Sequence, residues 1–257
     1  MRELFRTPST DKHDDTGLVL GFASTPAEVE ALQRLRFDVY TQDMNAVFPE
    51  AVDGIDKDRF DEFCEHLMVC DTRTQQVVGT YRVMSPEKAK EAGGYYSESE
   101  FDLSNFASIR PLLSECGRSC THADYRGGAA IMLLWSGLAK YLTMRNYRYM
   151  LGCASVSLAD GGIQVAEVWR AAKQEMQKHP ELPCITPLLA YPLEQLESIV
   201  SSDEKVKIPP LIKGYLKIGA RICGEPAWDK NFNVADFPVI IDIESMDPRY
   251  RKHFGID

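Results

Sequence analysis

The spacing of apolar and polar residues predicts a chain of mixed strands and helices. Short apolar or alternating runs are typical of strands, whereas apolar residues three and four apart are typical of helices. The sequence Thr25-Pro26-Ala27-Glu28 has capping-box spacing and begins a helix that runs to about Tyr40. The other predicted helices cover 129–144, 163–178, 193–201 and 211–219, and the predicted strands cover 18–22, 66–71, 77–84, 112–121, 147–153, 184–191 and 237–243.

This order predicts an α/β fold with a central mixed, partly antiparallel twisted sheet flanked by helices and followed by a C-terminal extension. Residues 1–17 are polar and are expected to form a disordered tail. Residues 18–257 then form a single domain. Gly117 interrupts the strand 112–121 and predicts a β-bulge there, which shifts the phase of the strand by one residue.

Composition narrows the classes of function. The chain has 257 residues and a formal net charge of −9, which argues against nucleic-acid binding. No apolar run approaches the roughly 20 residues of a membrane-spanning helix, and the N-terminus lacks the apolar region of a signal peptide. Seven cysteines without CxxC spacing indicate reduced core thiols in a cytoplasmic protein. Peripheral contact with the inner face of the membrane stays open.

The segment 112–135 carries the candidate chemistry. Its strand half holds Glu115 and Arg118 among small or apolar residues, where an unpaired charge is costly. A bulge at Gly117 brings both charges to one face and frees backbone N–H groups for an oxyanion. The glycine turn after the strand opens a helix and predicts a phosphate cradle formed by Arg126, Gly127, Gly128 and Ala129. The alternative is a structural ion pair followed by an ordinary connection.

Charged residues elsewhere add to this site. Arg36 and Tyr40 share a face of the first helix, and Arg82 lies in the middle of a strand. The acidic segment 41–65 suggests calcium, but the run 56–60 breaks the alternation of an EF-hand loop, so no metal site is predicted. Most of these acids are expected to be solvated. Asp61 is the exception, because it lies between Phe60 and Phe63.

Four segments together resemble a known family: LRFDVY at 35–40, FDEFCEHLMV at 60–69, VGTYR at 78–82 and ECGRSC at 115–120. They are similar to the bacterial N-acyl amino acid synthases of the GNAT superfamily, above all the L-ornithine N-alpha-acyltransferases that make lyso-ornithine lipid. The acyl-homoserine-lactone synthases are distant relatives. The stretch 209–237 also resembles the ornithine branch. The resemblance implies a GNAT fold and transfer of a long-chain 3-hydroxyacyl group from acyl carrier protein to the α-amino group of ornithine, the first step of ornithine lipid synthesis.

In the lactone synthases a charged cluster forms the acceptor site, and the matching residues here are Arg36, Asp61, Arg82, Glu115 and Arg118. An α-ammonium group must lose a proton before it attacks a thioester, and the acceptor carboxylate needs an anchor. Glu115 is the candidate base, directly or through water, with Arg118 and Asp61 completing the catalytic set. Arg36, Arg82 and Tyr40 are the candidate substrate-binding residues.

The donor is expected to be the acyl-phosphopantetheine of acyl carrier protein, with no permanently bound cofactor. GNAT enzymes cradle the coenzyme A diphosphate with Arg or Gln, two residues, glycine, any residue, and glycine or alanine. Gly127 and Ala129 fit the end of this motif, but Asp124 stands at its first position and repels a diphosphate. The acyl chain needs an apolar tunnel, and its candidate walls are Met132, Leu134, Trp135 and Met150.

Other interpretations remain open. One is the same chemistry on another amino acid, or lactone formation; another is a non-catalytic GNAT domain that docks or senses acyl carrier protein. Covalent catalysis by Cys116 or Cys120 is disfavoured, because only His122 lies near enough in sequence to activate a thiol. A basic stripe at spacing four is a candidate landing site for an acidic carrier or anionic lipid: Lys213, Lys217 and Arg221.

Overall fold

The computed structural model describes residues 1–7, 17–44, 48, 51, 53–178, 183–198, 208–230 and 232–256. Its strands are β1 Arg2–Arg6, β2 Leu18–Phe22, β3 Glu65–Asp71, β4 Val77–Met84, β5 Phe101–Asp102, β6 Leu113–Thr121, β7 Tyr149–Ser157, β8 Thr186–Pro187, β9 Arg221–Ile222, β10 Ala227–Asp229 and β11 Val234–Asp242. Its helices are α1 Pro26–Met44, α2 Pro86–Glu91, α3 Ala129–Arg145, α4 Ile163–Lys178, α5 Leu193–Ser198, α6 Pro210–Lys217 and α7 Pro248–Phe254.

Nine strands form one sheet in the order β1-β2-β3-β4-β6-β7-β11-β10, with β9 paired to β11. Strands β6 and β7 are parallel, whereas the other pairs of this sheet are antiparallel. Strands β5 and β8 pair with each other outside it. The predicted mixed, partly antiparallel sheet is confirmed.

Helices cover both faces of this sheet. Helix α1 packs against β4 and β6, and α3 packs against β2, β3 and β4 with α7 beside it. Alternation along β4 sends Tyr81 into the apolar core with α3 and turns Arg82 towards the charged residues near α1. The sheet therefore separates an apolar layer from a charged one. Within the described residues, no helix is long and apolar enough to cross a membrane.

Two predictions about the chain are wrong. Arg2–Arg6 form β1, which pairs with β2, and Leu4 and Phe5 pack against the core, so this part of the predicted tail is ordered. Residues 8–16 lie outside the described residues. The strand predicted over 184–191 shrinks to β8, because Pro187 cannot extend a ladder and Leu188 and Leu189 are exposed.

The parallel pair β6–β7 parts after three positions. The two strands pair from Leu113 with Tyr149 to Glu115 with Leu151. Beyond these residues they no longer pair with each other, and each remains paired only with its other neighbour. β6 stays paired with β4 to Thr121, and β7 stays paired with β11 to its end. We call the gap between the two free arms the fork. Glu115 lies at its base.

A bulge in β6 shapes one arm of the fork. Arg82 of β4 pairs with Gly117, whereas Thr80 pairs with Cys120, so β6 contains one extra residue between these partners. Arg118 takes up the irregularity with a φ of 49°. The bulge predicted at Gly117 is confirmed. It places Glu115 and Arg118 on the same face of the sheet as Arg82.

Gly152 permits the close approach of the strands at the base of the fork. A Cβ atom there would lie 2.7 Å from the carbonyl oxygen of Cys116. Relief of this clash would require the backbone of a paired strand to move. We expect Gly152→Ala to lower the free energy of unfolding by about 1–3 kcal/mol, measured by urea denaturation. Gly127→Ala is the matched control, because a Cβ at Gly127 meets nothing within 4 Å. Equal stability of the two variants would contradict this strand approach.

Candidate active site

A buried network of three arginines and three aspartates lies on the α1 face of the sheet. Its centre is Arg36, whose side chain has no exposed surface. Arg36 donates from Nη1 to Asp61 Oδ1 at 2.9 Å and from Nη2 to Asp61 Oδ2 at 3.1 Å. Its Nε lies 2.9 Å from Asp56 Oδ2. Burial by itself would raise the pKa of Asp61, but the Arg36 hydrogen bonds bring the net shift below the usual value.

The two strand arginines share Asp58. Arg82 Nη1 lies 2.6 Å from Asp58 Oδ1, and Arg118 Nη2 lies 3.1 Å from Asp58 Oδ2. Arg118 also places Nε 3.5 Å from Asp56 Oδ2 and its guanidinium 5.0 Å from the ring centroid of Tyr96. The network thus ties α1, β4 and the bulged β6 to one acidic loop.

The sequence analysis missed Asp56 and Asp58, which were expected to be solvated. Asp56 is buried and Asp58 is only 23% exposed. A signal for them existed in the sequence. Three arginines predicted to converge on a buried site need more than the two counter-charges of Asp61 and Glu115.

Glu115 is held by the turn 96–99. Ser97 donates to Oε1 from its backbone N–H at 2.7 Å and from its hydroxyl at 2.6 Å, and the Tyr96 N–H donates to Oε2 at 2.9 Å. Burial raises the pKa of Glu115 above its ordinary value, against the effect of these hydrogen bonds. A carboxylate with a raised pKa is a stronger base once it has ionised.

One cavity of about 290 Å³ connects these groups with the apolar core. Its charged end contains Glu115, Arg82, Arg118 and Tyr40, whose hydroxyl donates to the Ser119 carbonyl at 3.1 Å. Its middle passes between the arms of the fork, 116–119 and 152–155. Its far end lies beside α3 and α7 and is lined by Trp135, Leu138, Leu142, Met150, Met246 and Phe254.

Some predicted residues lie away from this cavity. Arg36 and Asp61 are buried and do not line the cavity. Their position therefore indicates that they hold the network with Arg82 and Arg118 in place and do not contact a substrate directly. Of the predicted acyl-chain walls on α3, Trp135 lines the cavity, but Met132 and Leu134 do not. Leu134 packs towards β4. Because α3 is apolar on most sides, its sequence does not indicate which face meets a cavity.

The glycine turn before α3 has the backbone expected of an anion cradle. Gly128 is the N-cap with a φ of 101°, and no side chain caps the helix. Arg126 forms an ion pair with Asp43 beside this turn. Asp124 is 84% exposed, 3.8 Å from His122. The assignment of Arg126, Gly127, Gly128 and Ala129 to a phosphate stays a prediction.

A second charged group lies on the β7 side of the cavity, and the sequence analysis missed it. The carboxylate oxygens of Glu100, Asp229 and Asp236 lie within 4.8 Å of one another, and Asp229 and Asp236 line the cavity. Ser155 donates to Asp236 at 2.5 Å. Burial raises the pKa of Glu100 and of Asp236, and the neighbouring carboxylates add to the shift of Glu100. Three crowded carboxylates favour a cation, either a hard metal ion or an ammonium group.

The cysteines at the site are poor nucleophiles. Cys116 lines the cavity and Cys120 lies farther along the strand β6, and burial raises the pKa of both thiols to about 12. No disulfide joins the cysteines of the described residues. A neutral buried thiol argues against covalent catalysis, which agrees with the preference from the sequence for direct attack.

The network predicts a large difference between two arginines of the same helix. Arg36→Met leaves Asp56 and Asp61 buried without their partner, and we expect the free energy of unfolding to fall by about 3–5 kcal/mol at neutral pH. Arg34→Ala removes an exposed pair with Glu30 and should cost less than about 1 kcal/mol. Urea denaturation checks both values.

The deficit of Arg36→Met should shrink towards about pH 4. The lowered pKa of Asp61 stabilises the wild type above the ordinary aspartate pKa, and this contribution is lost as the pH falls. In the variant, acid instead neutralises a buried carboxylate that has lost its nearest partner. A deficit that does not depend on pH would show that packing, and not charge, is the role of Arg36.

Comparison with known proteins agrees with this architecture. Residues 35–136 match the model of the acetyltransferase (GNAT) domain. The chain is similar in fold to FeeM, an N-acyl amino acid synthase from uncultured soil microbes, with a TM-score of 0.52 and 12% identity, covering 90% of this chain and 93% of that one. It is also similar in fold to BjaI, a CoA-dependent acyl-homoserine lactone synthase, with a TM-score of 0.51 and 15% identity, covering 90% and 84% of the two chains. The expected GNAT fold is confirmed.

A curated relative is similar over nearly its whole length. The L-ornithine N(alpha)-acyltransferase of Brucella abortus is 34% identical over 263 residues, covering 93% of this chain and 89% of that protein. The segments that carried the resemblance contribute the bulged strand, the arginines of the network and Glu115. This chain therefore belongs to the family of L-ornithine N(alpha)-acyltransferases.

Proposed function

We propose that this protein transfers a long-chain acyl group from a thioester to the α-amino group of L-ornithine, which yields N-acylornithine. The observation that carries the proposal is the fork, with a buried glutamate at its base and an apolar cavity behind it. Family membership supports ornithine as the acceptor. N-acylornithine is the lyso-lipid product expected from the first step of ornithine lipid synthesis.

The donor enters between the arms of the fork. Unpaired backbone groups on both arms can bind the amides of a pantetheine, as strands bind an added strand. The thioester carbonyl then lies at the bulge, where backbone N–H groups near Gly117 and Arg118 receive the oxyanion. One such donor is worth roughly 3 kcal/mol in the transition state. The acyl chain continues into the apolar end of the cavity beside α3.

The acceptor approaches from the charged end. Glu115 takes the proton from the α-ammonium group, directly or through water, and the free amine attacks the thioester carbon. The new C–N bond forms and the C–S bond breaks, and the pantetheine thiolate takes up the second proton that the nitrogen loses as it becomes an amide. Arg118 or Arg82 orients the acceptor carboxylate, since both line the cavity while Asp58 holds their other edges.

The side-chain ammonium of ornithine fits the acids on the β7 side of the cavity. Asp61, the other candidate acid of the site, is already paired with Arg36 and Arg82. Asp229 and Asp236 line the cavity opposite Arg118, and an ammonium group offsets the mutual repulsion of the cluster with Glu100. The two ends of ornithine thereby meet opposite charges, and its α-amino group is held between them.

Acyl carrier protein is the donor that we propose. Asp124 stands where ordinary GNAT enzymes place a diphosphate ligand, which suits the single phosphate of a carrier better than coenzyme A. Lys213 and Lys217 are exposed on α6 beside the cavity, whereas Arg221 is half-buried on β9, so only two residues of the predicted stripe lie on the helix. An acidic carrier would dock on these lysines in the cytoplasm. Contact with the membrane stays a prediction.

The function is tested by replacing the base. Glu115→Gln keeps the shape of the side chain and removes its basicity, and we expect N-acylornithine formation to fall by roughly 10²–10⁴-fold. The measurement is mass spectrometry of products from purified protein, acyl carrier protein charged with 3-hydroxymyristate, and ornithine. Glu62→Gln, a change at an exposed acid near the network, should leave the rate unchanged. The raised pKa of Glu115 predicts an acid limb of kcat/KM above the ordinary glutamate pKa.

Other products would redirect the proposal. Acylation of a different amino acid would keep the mechanism and replace the acceptor, and a lactone would move the chain to the chemistry of its distant relatives. Full activity of the Glu115→Gln variant would show that Glu115 is not the base. No acylated amine with any amino acid would favour a domain that docks or senses the carrier.

The acceptor subsite has a test of its own. Asp236→Asn should raise the KM for ornithine roughly 10-fold or more and change the rate with norvaline, which lacks the ammonium group, much less. Asp242→Asn is the control, because Asp242 lies on the same strand but pairs with Arg148 at the surface. Equal losses with ornithine and norvaline in Asp236→Asn would assign that residue to folding alone.

A further inference from the structure

The two oxygens of the Glu115 carboxylate are bound unequally. Oε1 accepts two hydrogen bonds from Ser97, one from the backbone N–H at 2.7 Å and one from the hydroxyl at 2.6 Å. Oε2 accepts one, from the Tyr96 N–H at 2.9 Å. Each oxygen of a carboxylate offers about two lone pairs to hydrogen-bond donors. Oε1 is therefore filled by Ser97, whereas Oε2 keeps one lone pair for another partner.

The turn that supplies these donors is itself fixed to the strand of the base. The Tyr95 N–H donates to Glu98 Oε2 at 2.7 Å, and Arg110 donates to both oxygens of Glu98 at 2.9 and 2.7 Å. The Tyr95 hydroxyl donates to the carbonyl oxygen of Leu113, the first residue of β6, at 2.5 Å. The distances from the turn to the carboxylate on β6 are thus set by the fold.

Titratable and charged groups approach Glu115 from several elements. They are Arg82 of β4, Cys116 and Arg118 of β6, Cys153 of β7, Cys64 before β3 and Tyr95 of the turn. The two arginines are already paired with Asp58. Burial raises the pKa of the three thiols and of the Tyr95 phenol, so these groups are uncharged at neutral pH. The ionised form of Glu115 therefore depends chiefly on the neutral donors of the turn.

Burial and hydrogen bonding have opposite effects on Glu115. Burial raises its pKa, and of the groups that oppose burial the Ser97 hydroxyl has the largest effect, ahead of the two backbone N–H groups and of Arg82. A general base must be ionised before it can accept a proton. Without the Ser97 hydroxyl a larger fraction of Glu115 would be protonated at neutral pH and unable to act.

We propose that Ser97 is a positioning residue for the base: it fills Oε1 of Glu115, so that Oε2 receives the proton of the acceptor. This inference rests on the proposed function, whose base it specifies. The proton leaves the α-ammonium nitrogen, directly or through water, and Glu115 becomes a neutral carboxylic acid. The electron pair of the broken N–H bond stays on the nitrogen, which then attacks the thioester carbon. Ser97 acts through Glu115 and not on the substrate.

The test is the pH dependence of kcat/KM in Ser97→Ala, which removes the hydroxyl and keeps the backbone N–H. Product formation from ornithine and acyl carrier protein charged with 3-hydroxymyristate is measured by mass spectrometry across the acid limb. We expect this limb to move upward by roughly one pH unit, because the ionised carboxylate loses a hydrogen bond and its pKa rises. The rate should be roughly 10-fold lower at a pH below both limbs and should approach that of the wild type above them.

Ser114 provides the matched control. It precedes Glu115 on β6 and has no exposed surface, but its hydroxyl is directed towards Tyr141 of α3 and the residue does not line the cavity. Ser114→Ala should leave the limb where it is in the wild type. Ser97→Cys should move the limb in the same direction as Ser97→Ala, since a thiol is a weak donor. The position of a limb does not depend on the amount of active enzyme, so partial loss of folded protein leaves this readout unchanged.

Four results would overturn the inference. An unchanged limb in Ser97→Ala, with Glu115→Gln inactive, would leave the proposed function standing without a role for Ser97. An equal loss of rate at every pH would assign Ser97 to packing. The same shift in Ser114→Ala would show that the limb responds to any loss of a buried hydroxyl near the base. A wild type that forms no N-acylornithine would overturn the proposed function and this inference with it.

Discussion

The parting of β6 and β7 is the constraint on which the rest of the site depends. Two parallel strands that separate give up ladder hydrogen bonds, and unpaired backbone groups are costly unless something else satisfies them. Each arm is stable because its outer edge stays paired in a long antiparallel ladder, β6 with β4 and β7 with β11. The inner edges are left for a ligand. The gap thus lies where the ladder between β6 and β7 would otherwise continue, and it leaves backbone groups that a ligand can bind.

The arginine–aspartate network is best understood as the support of one arm. A bulge with a residue at positive φ is strained, and Arg118 holds that conformation while its guanidinium meets Asp56, Asp58 and the ring of Tyr96. Tyr96 and Ser97 in turn bind Glu115. Tyr96 therefore helps to fix both the bulge and the base. The sequence suggested that all these charged residues contact the substrate. In the structure Arg82 and Arg118 line the cavity, whereas Arg36 and Asp61 lie behind its wall.

Most of the fold could be predicted from local sequence patterns. The capping box before α1, the alternation in β4 and the glycine in β6 each made a correct prediction, because each rests on contacts between neighbours in sequence. The prediction that Glu115 and Arg118 share a face of the sheet succeeded for the same reason. Side chains alternate between the two faces of a strand, so one extra residue is enough to move Arg118 to the face of Glu115. The resemblance to a known family then joined these segments into one site.

The parts that sequence did not give depend on distant contacts. Nothing local marks Glu100, Asp229 and Asp236 as neighbours, since they come from a turn and two strands far apart in the chain. Trp135 was predicted as a cavity wall, but its position beside Tyr81 and Tyr215 is visible only in the structure. Helix α7 went unpredicted, although Asp247 caps it and Pro248 begins it, because seven residues give too short a periodic signal.

In the proposed reaction the two ends of the cavity would select different parts of the substrates. The charged end would compare acceptors by the distance between their carboxylate and a second ammonium group. The apolar end would discriminate less between acyl chains, since one methylene more or less changes binding only modestly.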